Sequence, residues 1–434
     1  GLPPPRLACA RALCSHRTMV ETPTNRTVEA VWRMEAPRLI AGLARRVRDV
    51  GLAEELAQDA LVAALRQWPE LGVPRNPGAW LMTVAKRRAL DHFRHNAMKA
   101  RKLDALAHDI ETANAPPDPD VALDDDVGDD LLSLIFTACH PVLSRDSRVA
   151  LTLRLLCGLT TGEIARAFLA TEPTIAQRIV RAKNSLAAAG LPFEVPRGPD
   201  RTERLASVLE VIYLVFNEGY AATSGEDWMR AELCEEALRL GRVLAGLAPG
   251  EPEVHGLVAL MELQASRAAA RTAPDGAPIL LLDQNRGRWD QMLIRRGLAA
   301  LDRARSLAAG RAGPYALQAE IAACHARARK AEQTDWSRIA ALYTALMEIA
   351  ASPVVALNRA VAFAMAFGPQ AGLDLVDEIA REPALEGYHL LPGVRGDLLM
   401  KLGRKEEARA EFLRAAGMTR NLRERALLEA RARG

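Results

Sequence analysis

The chain has 434 residues, 49% hydrophobic and 26% charged, the balance of a soluble globular protein with roughly two to four domains. No apolar run approaches the roughly 18 residues of a membrane span, and the formal net charge is only +3. Aromatic residues are 4% of the chain, Ala, Leu, Arg and Glu abound, and the 6 cysteines form no CxxC pair, which argues against a disulfide framework or a zinc ribbon and for an all-α, cytoplasmic protein.

Residues 1–26 are expected to be a disordered tail or an appended remnant. Pro3, Pro4 and Pro5 preclude a helix, the apolar content is too broken for a signal peptide, and Met19 is a more natural start. Cys9 and Cys14 therefore have no expected role. Beyond this tail the charge alternates in blocks. Residues 27–102 carry 14 Lys/Arg against 8 Asp/Glu, residues 103–130 carry 10 acids and no Lys or Arg, and residues 131–190 carry 7 basic and 3 acidic residues. Residues 201–434 are balanced, with 31 basic and 30 acidic residues. Two basic blocks joined by an acidic linker are the electrostatic footprint of nucleic-acid binding, although a solvated helix face can also be basic. Pro116, Pro117, Pro119 and the run Asp124, Asp125, Asp126 mark the linker as disordered.

In the first block, residues 54–65 predict a helix with Leu56, Ala60, Leu61, Ala64 and Leu65 on its apolar face. Glu55, Gln58, Asp59 and Val62 share another face, an acidic stripe suited to a basic protein partner or simply to solvent. Pro74, Arg75, Asn76, Pro77 and Gly78 then predict a turn. The helix that follows directs Trp80, Leu81, Val84 and Ala85 inward and becomes basic at Lys86, Arg87, Arg88 and Arg94, with Asp91 and Phe93 interleaved. Cations there can neutralise phosphates and aromatic faces can stack on unpaired bases. Trp80 could equally be a core residue. His92 and His95 have the spacing of a metal pair, but no third ligand is near, and no metal is expected.

In the second block, residues 148–157 predict an apolar helix broken at Gly158, Leu159 and Thr160. Thr160 or Thr161 can cap a short amphipathic helix through Phe168, and Pro173 suits the first position of the next. Two helices about a short turn, the second becoming basic, describe a helix-turn-helix. Its second helix, about 173–187, turns Ile175, Ile179, Ala182 and Leu186 inward and Thr174, Gln177, Arg178 and Arg181 outward, with Lys183 following. Gln and Arg can make bidentate contacts to base edges in a major groove. A helical hairpin with a charged face is the plainer alternative.

Residues 191–200 predict a linker. Residues 201–434 predict stacked helical hairpins. Gly396, Ala408, Phe412 and Ala415 have the small/large spacing of a tetratricopeptide-like (TPR-like) repeat, and Gly368 and Gly403 lie 35 residues apart, close to its 34-residue period. Such a solenoid offers a surface for protein partners. The run Asp283-Gln284-Asn285-Arg286-Gly287-Arg288-Trp289-Asp290 is expected to brace two hairpins through a buried ion pair, and Asn217-Glu218-Gly219-Tyr220 is likewise expected to be structural. No nucleophile elbow, P-loop, dinucleotide fingerprint or zinc helix appears, so neither an enzyme nor a cofactor is expected.

The two blocks, in this order, resemble bacterial RNA polymerase sigma factors of the extracytoplasmic-function type, in the sigma-70 family. AEELAQDALVAALRQWP resembles the region-two segment that binds the clamp helices of the largest polymerase subunit, with Glu55, Gln58 and Asp59 on its polar positions. NPGAWLMTVAKRRALDHFR resembles the −10 recognition and melting segment, which assigns that role to Trp80, Lys86, Arg87, Arg88, Asp91 and Arg94. Many members of that family carry Asn where this chain carries Arg87, a departure that bears on base preference rather than on role. The second block resembles region four, which reads the −35 element through Thr174, Gln177, Arg178, Arg181 and Lys183 and meets the flap of the second-largest subunit. VLEVIYLVFNEGYAATSGE, LLLLDQNRGRWD and SPVVALNRAVA resemble the subgroup with a long C-terminal extension. The resemblance implies a region-two bundle at 27–102, a region-four helix-turn-helix at 131–190 and a TPR-like domain at 201–434 that regulates the sigma module or recruits an unidentified protein. A helix-turn-helix regulator working without core polymerase is the alternative.

Overall fold

The structure is a computed structural model that describes residues 23–104, 127–168, 170–220, 229–274, 277–382, 385, 388–419 and 421–433. Residues 1–22 of the tail and most of the acidic linker lie outside the described residues, whereas residues 23–26, expected to belong to the tail, open the first helix. Among these residues every regular element is helical, apart from isolated bridge residues such as the pair Thr272 and Pro278. No helix among them is long and apolar enough to cross a membrane.

The chain divides into two compact units, residues 1–35 with 55–110, and residues 36–54 with 111–434. Three helices open the chain: α1 (Pro23–Val47), α2 (Val50–Leu71) and α3 (Pro77–Asp104). In the first unit Leu56, Ala57, Ala60, Ala64 and Trp68 of α2 are buried, as are Leu81 and Ala85 of α3. The Asn76 side chain accepts from the Ala79 N–H at 3.1 Å and starts α3 at the predicted turn.

In the second unit, α4 (Val127–Ala138) and α5 (Arg145–Leu155) precede the helix-turn-helix of α6 (Thr161–Ala167) and α7 (Glu172–Ala189). Gly158 takes φ +68°, a left-handed conformation that lets the chain leave α5. Thr160 and Glu163 then form a reciprocal capping box on α6, and Thr171 caps α7 with Pro173 in its first turn. Ile175, Ile179, Ala182 and Leu186 are the buried face of α7, as the 3.6-residue period requires.

The extension continues with α8 (Gly198–Tyr220), α9 (Ala231–Leu247) and α10 (Pro252–Ala265), then α11 (Gln291–Ala308), α12 (Pro314–Arg327) and α13 (Trp336–Ile349). It ends with α14 (Pro353–Phe367), α15 (Pro369–Ile379), α16 (Leu390–Lys401), α17 (Lys405–Met418) and α18 (Leu422–Arg433). Neighbours in sequence pack on each other from α12 to α18, an arrangement compatible with TPR-like hairpins. A Cβ on Gly396 would sit 2.8 Å from the Phe412 ring, so glycine there lets α16 close on α17, the small/large pairing expected from their spacing.

Asp283–Asp290 braces the extension, but not through the ion pair expected. Arg286 donates to the carbonyls of His325 (2.5 Å) and Ala328 (2.8 Å) and to Thr334 Oγ1 (3.0 Å), while Asp290 caps α11 through the Met292 and Leu293 N–H groups. The end of a helix offers unpaired carbonyls, and a guanidinium fork satisfies two at once where a carboxylate partner was anticipated.

His325 is buried with its ring 5.2 Å from Trp336. Burial, with the charges of Arg267 and Arg286, pushes its pKa down to about 3. Below the ordinary value of about 6.5 the unfolded chain takes up a proton that the folded chain refuses, so stability falls as pH drops through this window. The loss reaches about 2 kcal/mol by pH 5. Urea unfolding at pH 7.5 and pH 5 measures it, and His325→Gln should remove that component of the pH dependence.

Candidate nucleic-acid interface

The acidic face of α2 is exposed where the sequence places it. Glu55 and Asp59 are exposed and one turn apart, Gln58 is half-buried between them, and Val62 (43% exposed) extends the face. Their arrangement suits a basic partner with an apolar contact at one end.

Helix α3 changes character after Ala85. From Lys86 to His95 no residue is fully buried, and only Lys86 and Ala89 are half-buried, so this stretch of helix is largely solvated. Arg87, Arg88, Asp91 and Arg94 are exposed, Lys86 is half-buried, and Leu90 (43%) and Phe93 (47%) stand among them. A largely solvated helix leaves most of its surface open to a partner. Leu90 is an apolar contributor that the sequence analysis does not single out; nine residues from Leu81, it lies on the side of the helix opposite that buried residue. Trp80 is half-buried, with its ring edge-to-face to Trp68 at 5.4 Å. The core and interface readings of Trp80 are therefore compatible: one part of the ring is packed and another is open. The side chains of Lys99, Arg101 and Lys102 lie outside the described residues. Among the described residues no His/Cys/Asp/Glu group can hold a metal.

On α7 the five candidate residues divide. Thr174, Gln177 and Arg181 are exposed, and Val180 (53%) and Asn184 complete the same open surface, two contributors not singled out by residue type. Thr174 Oγ1 is 2.7 Å from Thr171 Oγ1, so it is positioned by the cap. Arg178 is instead half-buried and pairs with Asp146 at 3.2 Å. Lys183 is half-buried and pairs with Glu54 at 2.5 Å, and the same buried carboxylate accepts from Arg154 Nε at 2.7 Å. Two of the five cations and polar groups expected on the open face are thus held within the fold.

The helix-turn-helix is also fastened to the extension. Helices α4 and α5 end in carbonyls that extension arginines reach: Arg204 donates to Phe136 O (3.1 Å) and Arg239 to Leu156 O (2.7 Å). Arg230 donates to Ala167 O at the end of α6 and pairs with Glu218. Ser207 donates to Cys139 O (2.6 Å) and receives Arg148 Nη1 (2.5 Å). The last carbonyls of a helix have no internal partner and carry its negative dipole end, so guanidinium donors are well matched to them. None of these partners is legible in the sequence; of the linker expected at 191–200, residues 198–200 instead open α8, which packs on α4 and α5.

Three family models match the chain: Sigma-70 region 2 at residues 31–98, Sigma-70 region 4 at residues 133–186, and a family of unknown function (DUF6596) at residues 204–305. A relative from Rhizobium meliloti (strain 1021), uncharacterized protein R00370, is 45% identical over 90% of this chain and 92% of its own length. The ECF RNA polymerase sigma factor SigK of Mycobacterium bovis (strain BCG / Pasteur 1173P2) is 33% identical over 34% of this chain and 77% of its own length. The probable ECF RNA polymerase sigma factor SigI of Mycobacterium tuberculosis (strain ATCC 25618 / H37Rv) is 29% identical over 37% of this chain and 54% of its own. No solved structure matches.

Proposed function

Because the chain belongs to the extracytoplasmic-function RNA polymerase sigma factors of the sigma-70 family, which direct transcription initiation, we propose that its three surfaces divide that work. Glu55, Gln58 and Asp59 dock on the clamp helices of the largest core subunit. Trp80, Lys86, Arg87, Arg88, Asp91 and Arg94 capture the melted −10 strand. Extracting bases from the stack costs a few kcal/mol each, which phosphate contacts and stacking on open aromatic faces offset. The observation that carries this reading is the stretch of α3 without a buried residue, where arginines and Phe93 are open to a partner.

Thr174, Gln177 and Arg181 read the −35 duplex from α7, with Val180 and Asn184 beside them. Arg178 and Lys183 serve less directly, Arg178 through Asp146 and Lys183 through Glu54. Region four also meets the flap of the second-largest subunit. The protein acts in the cytoplasm as a specificity subunit rather than an enzyme. The extension regulates it or recruits a further protein, and its arginines on α4, α5 and α6 couple it directly to the −35 reader.

Co-elution with bacterial core polymerase, followed by run-off transcription from the protein's own upstream region, tests the reading. Gln177→Ala with Arg181→Ala should cut promoter-dependent transcripts at least tenfold, because each lost base contact costs about 1–3 kcal/mol. Core co-elution should be unchanged by that pair. Failure of the wild-type chain to bind core would leave a DNA-binding regulator that works without it.

A further inference from the structure

Between the end of α8 and α12 the extension gathers an unusual set of donors. The Arg267 guanidinium lies 5.8 Å from the ring centroids of both Tyr220 and Trp289. Arg271 lies 3.6 Å from the Tyr220 centroid, and Arg286 lies 4.8 Å from that of Trp289. No ion pair joins Arg267 or Arg286 to a carboxylate among the described residues. Arg267 is half-buried, so it connects the cluster to solvent.

Several polar atoms here are buried and have no partner. They include Arg286 Nε, Trp289 Nε1 and His325 Nδ1. Trp289 is 3% exposed and His325 8%. The arginine and indole groups can only donate. Leaving such donors unpaired in a poorly solvated site costs stability, and placing like charges together adds to the cost. Burial depresses the pKa of Arg271, Arg286 and His325, and the charge of Arg267 adds to the shift of each. A positive, donor-rich site in which Arg267 and Arg286 pair with no carboxylate among the described residues is complemented by an acceptor-rich anion.

We infer that Arg267, Arg271, Arg286 and Trp289 form a binding site for a small oxyanion-bearing molecule in the extension. Arg267 is the entry residue and supplies a planar fork held between two aromatic rings. Arg286 and Trp289 supply the inner N–H groups. The inference goes beyond the sigma role and does not depend on it. The ligand's class is a compact phosphoryl or polycarboxylate anion, since half-burial leaves little of Arg267 open to anything larger.

Thermal unfolding of the full chain with sodium pyrophosphate, orthophosphate or citrate, each against sodium chloride at equal ionic strength, tests it. The wild-type midpoint should rise saturably with at least one anion beyond the chloride control. Arg267→Gln should weaken the apparent affinity at least tenfold, whereas Arg295→Gln, at an exposed position on α11, should not. Should Arg267→Gln fail to fold, Trp289→Phe keeps a ring and removes the Nε1 donor, and a loss of at least threefold is expected. A response to the phosphates alone identifies a phosphoryl ligand, and a response to citrate alone a polycarboxylate; either supports the site. No saturable response in the wild type, or an equal response in Arg267→Gln, overturns it.

Discussion

Glu55→Arg with Asp59→Arg should abolish co-elution with core polymerase while leaving the fold intact. Both carboxylates are exposed on α2 and lie four residues apart, so they share one face. Neither takes part in an ion pair among the described residues, and reversal therefore removes no internal contact. At a docked interface the new arginines would meet a basic partner, and like charges brought together cost several kcal/mol. The expected loss of affinity is at least about 100-fold, or about 2.7 kcal/mol. Fluorescence anisotropy with labelled protein and purified core measures it. Circular dichroism and the unfolding midpoint should not move. Glu70→Arg, further along α2 and also exposed, is the control. Affinity within threefold of wild type would show that core docks elsewhere.

The second large effect is expected from the extension, at Arg204→Met, Arg230→Met and Arg239→Met combined. Each arginine donates to a carbonyl of the helix-turn-helix domain, at Phe136, Ala167 and Leu156. A hydrogen bond from a charged group contributes about 1.5–3 kcal/mol, and its loss leaves a buried acceptor without a partner. Methionine keeps much of the side-chain volume, so the packing change is small. The triple variant should lose about 5 kcal/mol, allowing for incomplete additivity. Hydrogen exchange should show the loss concentrated in α4–α7, and binding to −35 duplex should fall with it. Unchanged protection of α4–α7 would mean that the helix-turn-helix stands without its extension. The expected result also means that truncation near residue 190 damages the DNA reader and removes more than a regulator.

Much of the fold was legible because its signals are local. The apolar spacing of 54–65, the turn about Asn76, a cap at Thr160 or Thr161, and Pro173 each act within one or two turns of chain. Helical period alone selected Ile175, Ile179, Ala182 and Leu186 as the inner face of α7, and all four are buried. The family was legible for a related reason: its segments are short, ordered motifs.

What sequence periodicity could not decide is which outward residues remain free. Gln177 and Arg178 are adjacent polar residues on α7, yet Gln177 is exposed while Arg178 is held by Asp146. Lys183 meets Glu54, a residue 129 positions earlier. The brace at Arg286 was anticipated, but its acceptors are carbonyls at His325 and Ala328 rather than a carboxylate.

By itself the sequence determined the main helices of the two basic blocks, the inward face of α7, the basic blocks and the order of the sigma segments, because propensity, capping and amphipathic period depend on neighbours along the chain. Only the tertiary structure decided that the extension's arginines end α4, α5 and α6, that two cations of the DNA reader are occupied, and that Arg267 lies near two rings with no carboxylate paired to it among the described residues. A charge pattern counts guanidinium groups, but whether each faces water, a carbonyl or another cation depends on contacts between residues 63 to 129 positions apart, which only folding brings together.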